Sequence, residues 1–162
     1  MEGLKGINHV ALLTSDMDRL VDFYQELFGA RKLMELPIPD LNGRHGFIDI
    51  GGGAVLHAFE IPGVARQSPA PEMFKRGRLD HFALAAGDAS AFEELRRCLV
   101  ARRCSDGVVT DFGVVRVFNF TDPDGFEAEV ALWLDDRDPG EIDMSRATDE
   151  NLSQRGRAYP TR

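Results

Sequence analysis

The sequence predicts an α+β fold made of two copies of one β-α-β-β-β module, and three observations carry that prediction. The stretch Ile7-Asn8-His9-Val10-Ala11-Leu12 returns 72 residues later as Leu79-Asp80-His81-Phe82-Ala83-Leu84, with histidine in the same slot. The same offset takes His57, in Gly53-Ala54-Val55-Leu56-His57, onto Glu129, in Gly125-Phe126-Glu127-Ala128-Glu129. In both copies a helical run follows the first strand and strand-like runs follow the helix. A fixed offset of this kind marks a duplicated supersecondary unit.

Residues 7–14 alternate, with Val10 and Leu12 on one side and His9 on the other, which is the period of a strand. Ser15 or Asp16 then caps a helix. Met17, Leu20, Val21, Tyr24, Leu27 and Phe28 recur at helical spacing, and Gly29 ends the run as a C-terminal glycine does. A strand over 30–36 follows, then a loop over 37–43 marked by Pro37, Pro39, Asp40, Asn42 and Gly43. Strands over 44–50 and 53–60 are joined at Gly51-Gly52-Gly53, which permits the positive φ of a tight connection. This triplet opens no helix and has no Lys-Ser/Thr after it, so it is no phosphate loop.

Residues 61–77, with Pro62, Gly63, Pro69 and Pro71, read as a linker between repeats 5–60 and 78–134. The second copy predicts a strand over 79–86, a helix capped by Asp88 and running to about 103, and strands near 107–110, 114–120 and 126–133. Thr121-Asp122-Pro123-Asp124-Gly125 is a turn by composition, and a stiff turn here sets the register that aims Glu129. The two repeats make one domain over 5–134. Residues 135–162 lie outside the repeat and read as a C-terminal arm or tail.

With 162 residues and 43% hydrophobic content the chain has enough apolar material for a core. A formal net charge of -8 argues against nucleic acid or an anionic membrane as the main partner. No run of about 18 apolar residues exists, and the first residues do not resemble a signal peptide; a cytoplasmic protein is expected. Cys98 and Cys104 match no metal or redox spacing and are expected to be reduced.

A lone histidine in an apolar run is commonly a core residue with its hydrogen bonds satisfied. Here three histidines and a glutamate, His9, His57, His81 and Glu129, stand at equivalent points of two copies, which points to a metal site. Three imidazoles and a carboxylate suit Fe, Zn, Ni, Mn or Co, and leave positions open for substrate oxygens. Strand parity places Phe59 with His57, and Ala131 and Trp133 with Glu129, so the wall beside the ion is apolar and partly aromatic. A small organic molecule with vicinal oxygens on an apolar body fits such a wall. Glu129, Glu127 and His45 are the candidates for proton transfer.

The His9 strand followed by the helix ending Phe23-Tyr24-Gln25-Glu26-Leu27-Phe28-Gly29, the His81 strand, and Asp122-Pro123-Asp124-Gly125 four residues before Glu129 together resemble the vicinal oxygen chelate superfamily. That superfamily groups glyoxalases, extradiol dioxygenases, fosfomycin resistance enzymes, methylmalonyl-CoA epimerase and bleomycin-binding proteins. The resemblance covers residues 5–134. It implies two βαβββ modules whose sheets form an incomplete barrel around a metal, with His9, His57, His81 and Glu129 at the four ligand positions. Glyoxalase I and the epimerase place Glu or Gln where this chain has His57, whereas extradiol dioxygenases use a His, His, Glu set matching His9, His81 and Glu129. Those dioxygenases add a tyrosine and a histidine before the Glu, near the places of Asn119 and Thr110 here. Asn119, Phe59 and Trp133 are therefore expected to meet substrate.

The expected function is a divalent-metal-dependent enzyme, dioxygenase-like ahead of lyase or isomerase chemistry. The alternative is a metal-free small-molecule binding protein of the bleomycin-resistance type. The resemblance also implies a homodimer, with the segment after Asp135 crossing onto the partner. It leaves open whether a site is built from one chain or from two.

Overall fold

The computed structural model describes residues 3, 6–66, 72–135 and 139–148. By its contacts the chain divides into two compact units, Met1–Gln67 with Asp122–Gly125, and Ser68–Thr121 with Phe126–Arg162. Each holds a four-stranded mixed sheet and one helix, an α+β arrangement.

The first unit runs β1 (His9–Thr14), α1 (Met17–Phe28), β2 (Arg31–Ile38), β3 (Gly43–Asp49) and β4 (Val55–Glu60), in sheet order β1-β4-β3-β2. The parallel β1–β4 pair sets Ala11 against His57, and the antiparallel β3–β4 pair sets Phe47 against His57 and His45 against Phe59. Leu56, Ala58 and Ile48 are fully buried on one face, as are Met17, Leu20 and Tyr24 of α1, so helix and sheet bury complementary apolar stripes. Asp16 caps α1 by accepting from the Arg19 N–H at 3.0 Å. The helix stops at Gly29, whose φ of 65° is left-handed and costs glycine nothing. At Gly51-Gly52-Gly53 all three φ angles are positive, and the Ile50 and Ala54 N–H groups close the connection on Ala54 O and Gly51 O.

In the first unit β1 and β4 start two residues later than expected, and the loop expected over 37–43 is shorter. Strand β2 continues through Pro37 to Ile38, where the turn formers predict a loop from residue 37. Because β2 is an edge strand, the missing N–H of Pro37 interrupts no ladder on its open side. The turn is confined to a 3-10 segment, Pro39–Leu41, and Asn42 in a left-handed conformation.

The second unit runs β5 (Ala83–Ala85), α2 (Ala89–Ala101), β6 (Val109–Asp111), β7 (Val115–Thr121) and β8 (Glu127–Trp133), in order β5-β8-β7-β6. Its register copies that of the first unit at the 72-residue offset: Ala83 faces Glu129 as Ala11 faces His57, and Asn119 faces Glu129 as Phe47 faces His57. Asp88 repeats the cap of Asp16, accepting from the Ala91 N–H at 2.8 Å. Phe92, Leu99, Phe118, Phe120, Ala128 and Val130 form the buried core of this unit.

The outer strands depart from the copy. Strand β5 spans three residues where residues 79–86 are expected, and His81 precedes it. The cause is local: the Asp80 side chain is engaged by Phe74 and Arg76, and pairing begins where the Glu129 N–H reaches Phe82 O at 2.9 Å. Strand β6 starts at Val109, since the Val108 N–H is taken by the Asp106 carboxylate and Gly107 has a φ of 73°. Of the expected arm, residues 139–148 fold on the second unit of their own chain. The Thr148 N–H donates to Phe112 O at 2.8 Å, and Ile142 is buried. Residues 136–138 and 149–162, and 67–71 of the expected linker, lie outside the described residues. Among the described residues neither Cys98 nor Cys104 forms a disulfide.

Candidate metal centre

His9 and His57 belong to the first unit, on the sheet face opposite α1. The His9 and His57 ring centroids are 5.6 Å apart, nearly perpendicular. Nδ1 of His9 lies 2.9 Å from Asn8 Oδ1. An amide oxygen accepts only, so Nδ1 carries the proton and Nε2 keeps its lone pair. His57 is held differently: its Nε2 lies 2.8 Å from Nδ1 of His45. One of the two donates. If His45 donates, both nitrogens of neutral His57 are spent; if His57 donates, its Nδ1 lone pair is free. Burial first, then the neighbouring His45 and His9, push the His57 pKa down, which keeps its imidazole neutral. Phe59 lies against this pair, with its ring 4.1 Å from His57 and stacked at 5.5 Å on His45. Phe47 meets His57 edge-on at 4.4 Å. This face is an aromatic and imidazole surface that presents π-faces to a planar ligand.

His81 and Glu129 belong to the second unit. Nε2 of His81 lies 3.7 Å from Glu129 Oε2, beyond hydrogen-bond range. It is slightly longer than the roughly 3.0–3.6 Å that separates two donor atoms about 2.1 Å from one ion and roughly 90–120° apart, so a small approach of the two side chains would let them share an ion. Nδ1 of His81 donates to Asp80 Oδ2 at 2.9 Å, so Nε2 is again the atom with the free lone pair. Burial works to raise the Asp80 pKa, but the His81 and Phe74 hydrogen bonds and the Arg76 charge outweigh it and leave it below the usual carboxylate value. Among the described residues no group of three or more His, Cys, Asp or Glu is gathered to hold an ion. The four expected ligands stand as two pairs, one in each unit.

Glu127 is 9% exposed, with Oε2 at 2.6 Å from Arg76 Nη2 and Oε1 accepting from Asn119 Nδ2 at 2.5 Å. Burial raises its pKa, against the opposing pull of Arg76 and Asn119. Both oxygens are thus occupied, as is the amide of Asn119. Trp133 lies two pairs of residues beyond Glu129 on the same face of β8, about 13 Å along the strand. It lines an open apolar groove with Phe112, Val114 and, from the C-terminal segment, Met144 and Ala147.

The turn before β8 is pinned in the first unit. Asp124 accepts from the Thr14 hydroxyl at 2.6 Å, the Ser15 hydroxyl at 2.7 Å, the Ser15 N–H at 3.0 Å and Arg19 Nη2 at 2.9 Å. Asp122 Oδ1 accepts the Asp124 N–H at 2.9 Å, closing the turn on itself.

Three residues escaped the sequence reading: Asn8, Asp80 and Arg76. The first two carried a signal, because an Asx residue precedes the histidine in both copies of the repeat. Arg76, buried to 7% side-chain exposure and outside the repeat, carried none.

Residues 6–130 match the family model of the glyoxalase/bleomycin resistance protein/dioxygenase superfamily. No curated protein matches by sequence. Among solved structures, a glyoxalase/bleomycin resistance protein/dioxygenase domain from Frankia sp. EAN1pec is 20% identical, with 81% of this chain and 99% of that one covered at a TM-score of 0.67. Lactoylglutathione lyase from Agrobacterium tumefaciens is 20% identical, with 80% and 94% covered at 0.58. A mutant fosfomycin resistance protein FosX from Listeria monocytogenes, complexed with Mn(II) and 1S,2S-dihydroxypropylphosphonic acid, is 17% identical, with 78% and 91% covered at 0.59. At these identities the structures share the fold, two four-stranded mixed sheets with two helices. From the match over residues 6–130, the chain belongs to the glyoxalase/bleomycin resistance protein/dioxygenase superfamily.

Proposed function

We propose that this protein is a divalent-metal-dependent enzyme whose substrate is a small organic molecule that binds the ion through vicinal oxygens. The observation that carries the reading is the state of the ring nitrogens. His9 and His81 each have Nδ1 tied to a neighbouring Asx oxygen and Nε2 left with a lone pair, and Glu129 Oε2 stands 3.7 Å from His81 Nε2. Two imidazoles and one carboxylate are a donor set for a divalent first-row ion with open positions. A bound ion would supply Lewis acidity toward the substrate oxygens or, as Fe(II), access to dioxygen.

His57 is the fourth donor through Nδ1 when its Nε2–H donates a hydrogen bond to His45 Nδ1. In the other tautomer the His45–His57 pair is a proton carrier beside the substrate. Glu127, with both oxygens occupied, holds Arg76 and Asn119 in place. Phe59 presents an aromatic face, and Trp133 ends the same strand face as Glu129 at the apolar groove, so the substrate body is apolar. The vicinal diol 1S,2S-dihydroxypropylphosphonic acid complexed together with Mn(II) in the FosX structure is consistent with vicinal oxygens as the recognised group.

A ring-cleaving dioxygenase uses the His9, His81, Glu129 set and no carboxylate at the His57 position, and is placed first. Lyase or isomerase chemistry comes second, favoured by the likeness to lactoylglutathione lyase. Metal analysis of protein purified without chelator, then oxygen uptake by the Fe(II)-loaded protein with a panel of catechols, tests both levels. Bound metal that His81→Ala abolishes, with oxygen uptake, is the expected result. Fewer than about a tenth of an ion per chain after reconstitution overturns the enzyme reading. Metal binding with no uptake, and turnover of hemithioacetals or acyl-CoA esters without oxygen, moves the assignment to a lyase or isomerase.

A further inference from the structure

We infer that Asp80, clamped by Arg76, is a positioning residue that fixes the ring and tautomer of His81, and that Asn8 is its uncharged counterpart for His9. The inference rests on the proposal that both histidines bind an ion. Each histidine follows an Asx residue at the same slot of the repeat, and in each case the Asx oxygen takes the Nδ1 proton at 2.9 Å. This hydrogen bond points Nε2 away from the Asx residue and keeps its lone pair free for a metal.

The two copies differ in what holds the Asx side chain. Oδ1 of Asp80 accepts from the Phe74 N–H at 2.5 Å, and Oδ2 takes Arg76 Nη1 at 3.2 Å as well as His81. Phe74 reaches this position with a φ of 67°, a left-handed conformation that a bulky residue adopts at a cost. Arg76 is almost wholly buried and also holds Glu127, the residue two before Glu129 on the same strand face. The turn before the second copy therefore brings a fixed cation to the carboxylate behind one ligand and to the strand that carries the other. A carboxylate behind an imidazole makes it a stronger donor than an amide does. His81 is thus the anchoring imidazole, and His9, with only exposed Asn8 behind it, the weaker one.

The test uses the full chain, labelled with 15N and free of metal, at pH 8, above the usual histidine pKa. Imidazole NMR of wild-type protein is expected to show His81 protonated at Nδ1. Asp80→Asn, which keeps an oxygen acceptor, should retain that tautomer, whereas Asp80→Ala should move His81 toward the Nε2–H form. Calorimetric titration with Zn²⁺ should give affinity about 10–100-fold below wild type for Asp80→Ala, with a smaller loss for Asp80→Asn and for Asn8→Ala. An Nε2–H tautomer in wild type, or an Asp80→Ala protein with the wild-type tautomer, overturns the inference even if affinity falls, because a structural effect alone leaves the tautomer unchanged. Should Asp80→Ala fail to fold, the wild-type tautomer and the Asp80→Asn affinity decide; equal Zn²⁺ affinity in wild type and Asp80→Asn overturns the role of the charge. A wild-type protein that takes up no Zn²⁺ overturns the proposed function instead, and the tautomer comparison still judges Asp80.

Discussion

Replacing Asp124 by alanine should cost about 2–4 kcal/mol of stability. The carboxylate is 8% exposed and accepts from four donors on three residues, Thr14, Ser15 and Arg19. A hydrogen bond to a charged group contributes about 1.5–3 kcal/mol net when its donor is buried, and two of these donors have other recourse. Arg19 is 40% exposed and turns to water, so its pair contributes about 0–1 kcal/mol. The Thr14 hydroxyl, fully buried, lies 3.0 Å from Asp16 O and can donate there instead. What is lost is centred on the Ser15 N–H and hydroxyl, whereas the Asp124 N–H to Asp122 Oδ1 bond that closes the turn survives the substitution. Asp124→Asn keeps one acceptor oxygen and should lose about half as much. Urea unfolding of the three proteins measures the differences, and hydrogen exchange over Glu127–Trp133 reports whether β8 loosens when its turn is released. A loss below about 0.5 kcal/mol for Asp124→Ala, the range of ordinary surface changes, refutes the reasoning, as does an asparagine variant no better than the alanine one.

Arg44 joins Asp18, Glu35 and Glu60, each at 2.9 Å, while Glu60 also takes the Met17 N–H at the start of α1. Hydrogen bonds from Lys32 and Arg44 hold the Glu35 pKa low, and Arg44 does the same for Asp18. Depressed carboxylate pKa values stabilise the fold above the unfolded-state values and lose that effect as pH falls through the folded ones. Arg44→Met should therefore lower the urea midpoint at pH 7, with the gap to wild type closing below about pH 4.5; a gap independent of pH refutes the assignment. Gly113 has a φ of 79°, and a Cβ there meets Arg146 O at 2.5 Å. Gly113→Ala should lift residues 144–148 off the second unit and speed their proteolysis, and an unchanged cleavage rate counts against the packing described. Light scattering should find a homodimer. If sites are built from two copies, refolding His9→Ala together with Glu129→Ala protein should restore full ligand sets to roughly a quarter to a half of the sites, whereas no recovery means each chain builds its own.

The elements most legible in the sequence were those whose signals are local. Asp16 and Asp88 announced their helices because an Asx cap needs only the next turn, and Gly29 ended one because a left-handed residue favours glycine. The ligand candidates were legible through the repeat, and the reason is register. In a strand a slip of one residue reverses a side chain, so His57 and Glu129 share a position only because β3–β4 and β7–β8 pair identically at the 72-residue offset. What the sequence did not disclose depends on partners far away in the chain: Arg76 on Glu127, His45 on His57, Asp124 on Thr14.

The places where the copies diverge follow from the same logic. Strands β4 and β8 are central, paired on both sides, and a change of register there would expose a buried face, so the offset holds through them. Strands β2 and β6 are edges, and their lengths, eight residues against three, are free to differ. The short β5 is the informative case, since it is the counterpart of β1 and loses its first rungs where Asp80 and His81 lie. Outside the ladder, Asp80 turns its carboxylate to the Phe74 N–H and Arg76, whereas in the first copy the Asn8 carbonyl is already engaged by the Val55 N–H. The clamped carboxylate behind His81 thus coincides with the later start of strand pairing in the second copy. Giving positions 79 and 80 their first-copy identities, Leu79→Ile with Asp80→Asn, should trade the Arg76 clamp for further rungs of β5, raising the urea midpoint and lowering Zn²⁺ affinity while the His81 tautomer is retained; a β5 no better protected from hydrogen exchange refutes it.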